Sequence, residues 1–192
     1  MRTFDYFEDC IKLNLPKLDL QLADFEYSWQ IYNPRKKIAR WGLSVTSLDG
    51  EMTGIPDLDS VSEYNILNQT KFSESDFNIK TKLGQQFSNF IDHVDIGRSH
   101  IIKLGSGGFF PFHRDLDVKT FRVIYCIDQC HPQNFIWLQD DKALKLGDSN
   151  WYIINTKKAH AVFSFFGCQF AVFNVIQSEK SLKFLMSAFE IK

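Results

Sequence analysis

From Ser99 onward the chain is a succession of short apolar runs separated by polar turns. The runs Ser99–Leu104, Gly108–His113, Thr120–Cys126, Asn134–Leu138, Asn150–Asn155, Ala161–Ser164, Gln169–Ile176 and Leu182–Phe189 predict eight short strands. Strands at that spacing point to a sandwich, jelly roll or barrel. Within Thr120–Cys126 strict alternation puts Arg122, Ile124 and Cys126 on one face and Phe121, Val123 and Tyr125 on the other.

The first half reads differently. Phe4, Phe7, Ile11 and Leu13 mark one face of a short helix ended by Leu15-Pro16, and Leu18–Leu22 alternates as a strand. Asn33 to Lys37 is a basic turn, and Ile38–Ser47 is a strand closed by Leu48-Asp49-Gly50. Glu51 to Ser75 is polar and irregular, a loop of lid-like length. A helix is predicted over Ile79–Val94, with Ser73 or Ser75 as a candidate cap and Leu83, Phe87, Phe90 and Ile91 as its buried stripe. The expected organisation is one domain, with residues 1–95 supporting a β core over 96–192.

Composition changes this picture little. Hydrophobic residues make up 44% and charged residues 23% of 192, ordinary for a globular chain, and 19 Phe suit a β interior lined by rings. A net charge of −1 provides no field for nucleic acid or an anionic membrane, so neither partner is expected. Met1–Asp9 is charged and no apolar run long enough for a leader or a span follows, which predicts a cytoplasmic protein with reduced Cys10, Cys126, Cys130 and Cys168. The sequon Asn68-Gln69-Thr70 is then a coincidence of spelling.

The candidate chemistry lies between Ile101 and Ile127. A Gly-rich turn, Gly105–Gly108, precedes Pro111-Phe112-His113-Arg114-Asp115. His and Asp two residues apart can offer an imidazole nitrogen and a carboxylate oxygen to one metal. A second His from elsewhere, His160, completes the two-His-one-carboxylate face that leaves positions open on a non-haem Fe(II). His93-Val94-Asp95 has the same spelling, but His93 falls near the end of the predicted helix, where a cation suits the helix dipole. Cys126-x3-Cys130-His131 gathers only three zinc-type ligands with no second half, and Cys10 and Cys168 read as buried thiols. Arg122, in an otherwise apolar run, needs an anion. At about 4 Å and an effective dielectric near 20 such a pair is worth roughly 4 kcal/mol. Its partner is either an acid of this chain or a ligand carboxylate.

With these residues in place, Gly107–Val175 resembles the double-stranded β-helix core of Fe(II)/2-oxoglutarate-dependent oxygenases. It is most similar to the aspartyl/asparaginyl β-hydroxylases and the bacterial proline hydroxylases. The shared features are Pro111-Phe112-His113, Arg122 nine residues after that His, and the Gly147–Ile154 strand leading to His160. The resemblance implies a mainly β, cupin-like jelly roll with a few N-terminal helices. It further implies Fe(II) on His113, Asp115 and His160, 2-oxoglutarate and O2 as co-reactants, and Arg122 on a cosubstrate carboxylate. His100, on the face of Ile102 and Leu104, is a further candidate contact to the cosubstrate. The implied substrate is an amino acid or a peptidyl Asp/Asn residue, hydroxylated at an unactivated C–H.

The chain departs from that pattern at Phe170, where relatives place a second Arg for the cosubstrate's far carboxylate. Asp115 is a full carboxylate, as in the proline hydroxylases; halogenating relatives carry a small residue there. The departure at Phe170 supports a rival from another class, a non-catalytic cupin-like module in which Arg122 holds a carboxylate ligand. A third reading keeps the enzyme with another metal or without 2-oxoglutarate.

Overall fold

The computed structural model describes residues 9–32, 39–115 and 119–189. Strands β6 (Ile96–Leu104), β7 (Phe109–His113), β8 (Thr120–Asp128), β9 (Phe135–Gln139), β10 (Lys142–Leu144), β11 (Trp151–Ile154), β12 (His160–Ser164) and β13 (Cys168–Ile176) divide between two sheets. With β1 (Cys10–Leu13), β2 (Gln30–Ile31) and β3 (Arg40–Ser44), a large sheet has the order β1-β11-β8-β13-β6-β3-β2, and a small sheet the order β10-β9-β12-β7. Successive strands cross from one sheet to the other except at the β9–β10 hairpin. That interleaving is the jelly-roll, cupin-like β-sandwich the sequence predicts. Seven of the eight predicted strands form, and the short β10 is added to them.

The eighth does not. Glu179–Ser187 is a helix, α3, with Ser178 as its N-cap accepting from the Ser181 amide. Its buried positions, Ser181, Leu185 and Ala188, recur at helical spacing against the large sheet. The predicted helix over 79–94 is likewise corrected. Ile79–Lys80 pairs as β5 with β4 (Thr46–Ser47), and helical turns cover only Gly84–Phe87 and α2, Ser88–Ile91. The Thr81 hydroxyl accepts from the Gly84 amide and starts that turn late. The stripe Leu83, Phe87, Phe90 and Ile91 is buried as expected.

Nearer the N-terminus, Cys10–Leu13 is not helical but forms strand β1, pairing Ile11 with Ile153. Phe4, Phe7 and the basic turn at 33–37 lie outside the described residues. Leu18–Leu22 joins no sheet. The Leu18 amide donates to the Tyr125 hydroxyl and the Gln21 amide to the Gln86 side chain, so its backbone is satisfied without a ladder. The Ile38–Ser47 run splits at Val45 into β3 (Arg40–Ser44) and β4, with β2 (Gln30–Ile31) outside β3. Residues 51–75 hold a helix, α1 (Val61–Asn68), and a single turn, Glu74–Asp76, in a capping box with Ser73.

The large sheet is buried on both faces. Phe121, Val123 and Tyr125 face the helical side with Phe87, Phe90 and Leu185. Ile124 and Cys126 face the small sheet with Ile102, Trp137, Val162 and Phe170. The alternation read in β8 is therefore the division of the core. No helix among the described residues is long and apolar enough to cross a membrane.

Candidate metal centre

β7 and β12 are neighbours in the small sheet, and His113 lies directly opposite His160. Their ring centroids are 4.2 Å apart. A bulge sits between the pairs His160–His113 and Val162–Phe110, giving β7 one residue more than β12 over that step. Strict alternation would put Phe110 and His113 on opposite faces; the extra residue lets both face inward. Pro111 is tolerated there because β7 is an edge strand. The turn that feeds β7 depends on glycine. Gly107 has φ +71°, and a Cβ on Gly108 would sit 2.8 Å from the Gly105 carbonyl oxygen.

Asp115 follows β7, its amide donating to the Thr156 carbonyl at 2.9 Å. One ligand atom from each of His113, Asp115 and His160 lies within 4.8 Å of the other two, the arrangement a single ion needs. The groups behind the two histidines orient them. His113 Nδ1 lies 2.7 Å from the Pro111 carbonyl oxygen, and His160 Nδ1 lies 3.1 Å from that of Lys158. A carbonyl can only accept, so both Nδ1 atoms carry the proton and both Nε2 atoms keep a lone pair for a metal.

Charge agrees with that assignment. Burial pushes the Asp115 carboxyl up, but Arg122, His160 and the Thr156 hydroxyl together hold it down to about 2. Burial lowers the His160 imidazole, partly opposed by its bond to the Lys158 carbonyl. A neutral imidazole at His160 and a carboxylate at Asp115 are protonation states a divalent cation requires.

These groups open on a cavity of about 110 Å³ between the sheets, lined also by His100, Arg122, Arg98, Trp137 and Phe170. Arg122 donates from Nε at 3.0 Å and from Nη2 at 2.6 Å to Asp115 Oδ2. Of the two anions open to it, the structure brings the acid of this chain. His100 is 2% exposed, faces the cavity as alternation placed it, and is held well below its usual range by burial and then by Arg98 and Arg122. Phe170 packs on Phe135 at 5.2 Å and adds an apolar wall. No residue of 51–75 lines the cavity. That segment instead sits behind it, where Glu74 takes Arg98 at 2.7 and 3.0 Å and the Asp57 and Asp59 carbonyls take its Nη1.

A search of protein-family models and of curated proteins finds no match to this chain. Solved structures do align with it. One is an oxidoreductase of the 2OG-Fe(II) oxygenase family from Burkholderia pseudomallei, with 11% identity and TM-score 0.41, covering 74% of this chain and 68% of that one. Another is an RmlC-like cupin from Shewanella frigidimarina, with 14% identity and TM-score 0.35 over 45% and 70%. A predicted oxalate decarboxylase from Thermotoga maritima aligns at 13% identity and TM-score 0.34 over 42% and 68%. These alignments reach about two thirds of each relative's length, and the likeness stops at the fold.

The other sequence candidates assemble no metal-ligand set among the described residues. His93 is exposed and stacks on Phe184 at 5.1 Å, away from any ligand cluster. Cys130 is buried with its thiol donating to the Gln169 carbonyl at 3.2 Å, whereas His131 turns to the side chains of Gln129 and Gln133. Cys126 and Cys168 are buried and Cys10 is half-buried. Residues that sequence reasoning passed over are Arg98, Arg40, Trp137 and Thr156. The two arginines carried the same signal as Arg122, a guanidinium inside an apolar strand.

Proposed function

We propose that this chain is a non-haem Fe(II)- and 2-oxoglutarate-dependent oxygenase that hydroxylates an unactivated C–H of an amino acid or of a peptidyl Asp/Asn-type residue. The observation that carries the reading is the inward-facing His113, Asp115 and His160 set, with both histidines fixed in the metal-ready tautomer. Fe(II) held there would supply O2 activation coupled to oxidative decarboxylation of the oxo acid. The protein's own part is binding and orientation. His113 and His160 present Nε2, and Asp115 supplies the anionic ligand and is aimed by Arg122. Trp137, parallel to His160 with centroids 5.4 Å apart, fixes that ring. Arg122 and His100 face the space the cosubstrate would occupy, and Ile102, Val162, Phe170 and Val172 keep water from it.

A second reading, a cupin-like module that binds a carboxylate ligand without turnover, is favoured by Phe170 and by the Arg122–Asp115 pair. Anaerobic titration separates the two. Fe(II) followed by 2-oxoglutarate is expected to produce a weak visible charge-transfer band that needs both additions and disappears in Asp115→Ala. Succinate formation from 2-oxoglutarate should vanish in the same variant. A folded protein that binds Fe(II) yet gives neither band nor succinate would put the binding module first.

A further inference from the structure

The small sheet breaks the usual rule of an antiparallel sheet, apolar toward the core and polar toward water. Its inward positions follow from register: His113, His160 and Gln139 share one row, and Val162 opposes Trp137 in the next. The alternate positions point outward. There Phe109 opposes Phe163, which opposes Ile136; Ala161 opposes Leu138, which opposes Ala143. Phe112, next to the inward His113, is on the same outer side. Phe165 continues it past β12, with its ring 4.9 Å from that of Phe163 and 6.4 Å from that of Phe166. None of these side chains is charged or polar. Phe109, Phe112, Phe165 and Phe166 are 43, 58, 45 and 81% exposed. At ~200 Å² per ring side chain they leave about 450 Å² of apolar surface open to water, a size that marks an interaction site.

The face fits a second copy of itself. Its β7 edge carries large rings and its β10 edge the small Ala143, with β12 and β9 between them. A twofold axis along the strands lays β7 of one copy over β10 of the other, so that large side chains meet small ones. The rim agrees. Arg114 follows β7 and Asp140-Asp141 follows β9, at one end of the face but toward opposite edges, because His113, His160 and Gln139 share a row. The same axis brings each Arg114 toward the other copy's acidic turn. A net charge of −1 per chain adds little repulsion. With the half-buried Phe163, Ile136 and Leu138 included, two such faces bury on the order of 1,000–1,200 Å² together, the lower bound for a specific pairing. We propose that the outer face of the small sheet is a self-interface, on which two copies of this chain pack face to face, β7 over β10, as sheets pack in a sandwich. β7 and β12 hold His113 and His160 on their other side, so the pairing backs the strands of the candidate metal centre. It does not depend on a metal being bound there.

Sedimentation equilibrium of the full chain over a wide concentration range is the test. An interface of this size predicts a reversible dimer with a Kd on the order of 1–100 μM. Phe109→Asp and Ala143→Lys, at opposite edges of the face, should each weaken it by ~10-fold or more. An equimolar mixture of the two variants should recover the dimer, because the twofold sets the new carboxylate of one copy against the new ammonium of the other. Phe166→Asp, at the most exposed ring, is expected to weaken the dimer similarly and serves if Phe109→Asp does not fold. A wild-type chain that stays monomeric at the highest concentration overturns the proposal, including one that instead binds phosphatidylcholine vesicles, which would give the face to a lipid surface. So does a dimer that persists in folded Phe109→Asp or Phe166→Asp protein, which would put the interface elsewhere. Loss in both single variants with no recovery in the mixture overturns the β7-over-β10 twofold, and with it the fit that selects a second copy.

Discussion

The two faces of the large sheet are built from alternate residues of the same strands, yet they differ in kind. On the helical face the rings of Phe87, Phe90, Trp151 and Phe173 interlock at centroid distances of 4.7 to 5.5 Å. Its buried polar groups are matched: Thr81 donates to the Ser44 carbonyl, and Ser181 accepts from the Asp95 amide. On the face toward the small sheet the described residues leave Arg40 Nε, His100 Nδ1, Trp137 Nε1, Gln139 Oε1 and Asn174 Oδ1 buried and unpartnered. Native cores rarely leave such groups alone, because each costs about 1–3 kcal/mol. One face is finished and holds the fold together. The other carries buried polar groups that find no partner among the described residues.

If that division is real, one substitution on each face should separate stability from binding. Phe90→Ala opens a cavity among the helical-face rings and is expected to cost about 3–5 kcal/mol in denaturant unfolding while Mn(II) affinity stays unchanged. Across the sheet, His113→Ala is expected to lower Mn(II) affinity by at least ~100-fold. Its side chain is 39% exposed, so unfolding should move by less than ~1 kcal/mol. Equal losses of stability in both variants would mean that the two faces do not divide the labour.

Acid should act on the cavity face first. Asp115 is depressed to about 2 in the fold, so its contribution is fully present above its unfolded value near 3.8 and is lost as pH falls through 2. His160 and His100 are lowered, so the unfolded chain binds more protons as pH falls below about 6.5, and stability drops there too. Asp57, pushed up to about 6 chiefly by burial, works the other way: its contribution is present below about 3.8 and is lost as pH rises through 6. Urea unfolding of the metal-free protein is thus expected to show a separate acid limb between pH 4 and 2 of roughly 2 kcal/mol, absent in Asp115→Asn. An acid limb of the same size in Asp115→Asn would remove the Arg122–Asp115 pair as its cause.

The same division explains how much of the fold and site is legible in the chain. Strands of the sandwich announce themselves because alternation is a local signal, and Phe121–Cys126 gave both faces directly. Leu182–Phe189 is as apolar as a strand, but its capping Ser178 and its helical burial at Ser181, Leu185 and Ala188 outweigh composition. Cys10–Leu13 is a strand only because β11 offers it an edge, a fact no local pattern contains. His113, Asp115 and His160, grouped in the sequence by residue type, come within reach of one another in the fold. The β7 bulge that makes their geometry possible was not legible. Arg122 was legible as a cation in need of an anion, but whether that anion came from Asp115 depended on the fold. Arg40 carries the same signal within the run Ile38–Ser47, and sequence reasoning passed over it.

The smallest effects provide the finest test, in a pair of polar residues that differ only in face. The Thr81 hydroxyl donates to the Ser44 carbonyl at 2.7 Å and accepts from the Gly84 amide at 3.1 Å, so both of its roles are filled. Thr81→Val keeps the shape and strands those partners, and about 1–3 kcal/mol of stability should go with them. Gln139, beside His160 in the small sheet, donates to the Asn155 carbonyl but leaves Oε1 buried and bare. In Gln139→Met the lost hydrogen bond is offset by removal of the bare oxygen, so unfolding should shift by less than ~1 kcal/mol. A Gln139→Met loss as large as that of Thr81→Val would mean that Oε1 is already satisfied by ordered water, and that the cavity face is wetter and more complete than its side chains alone suggest.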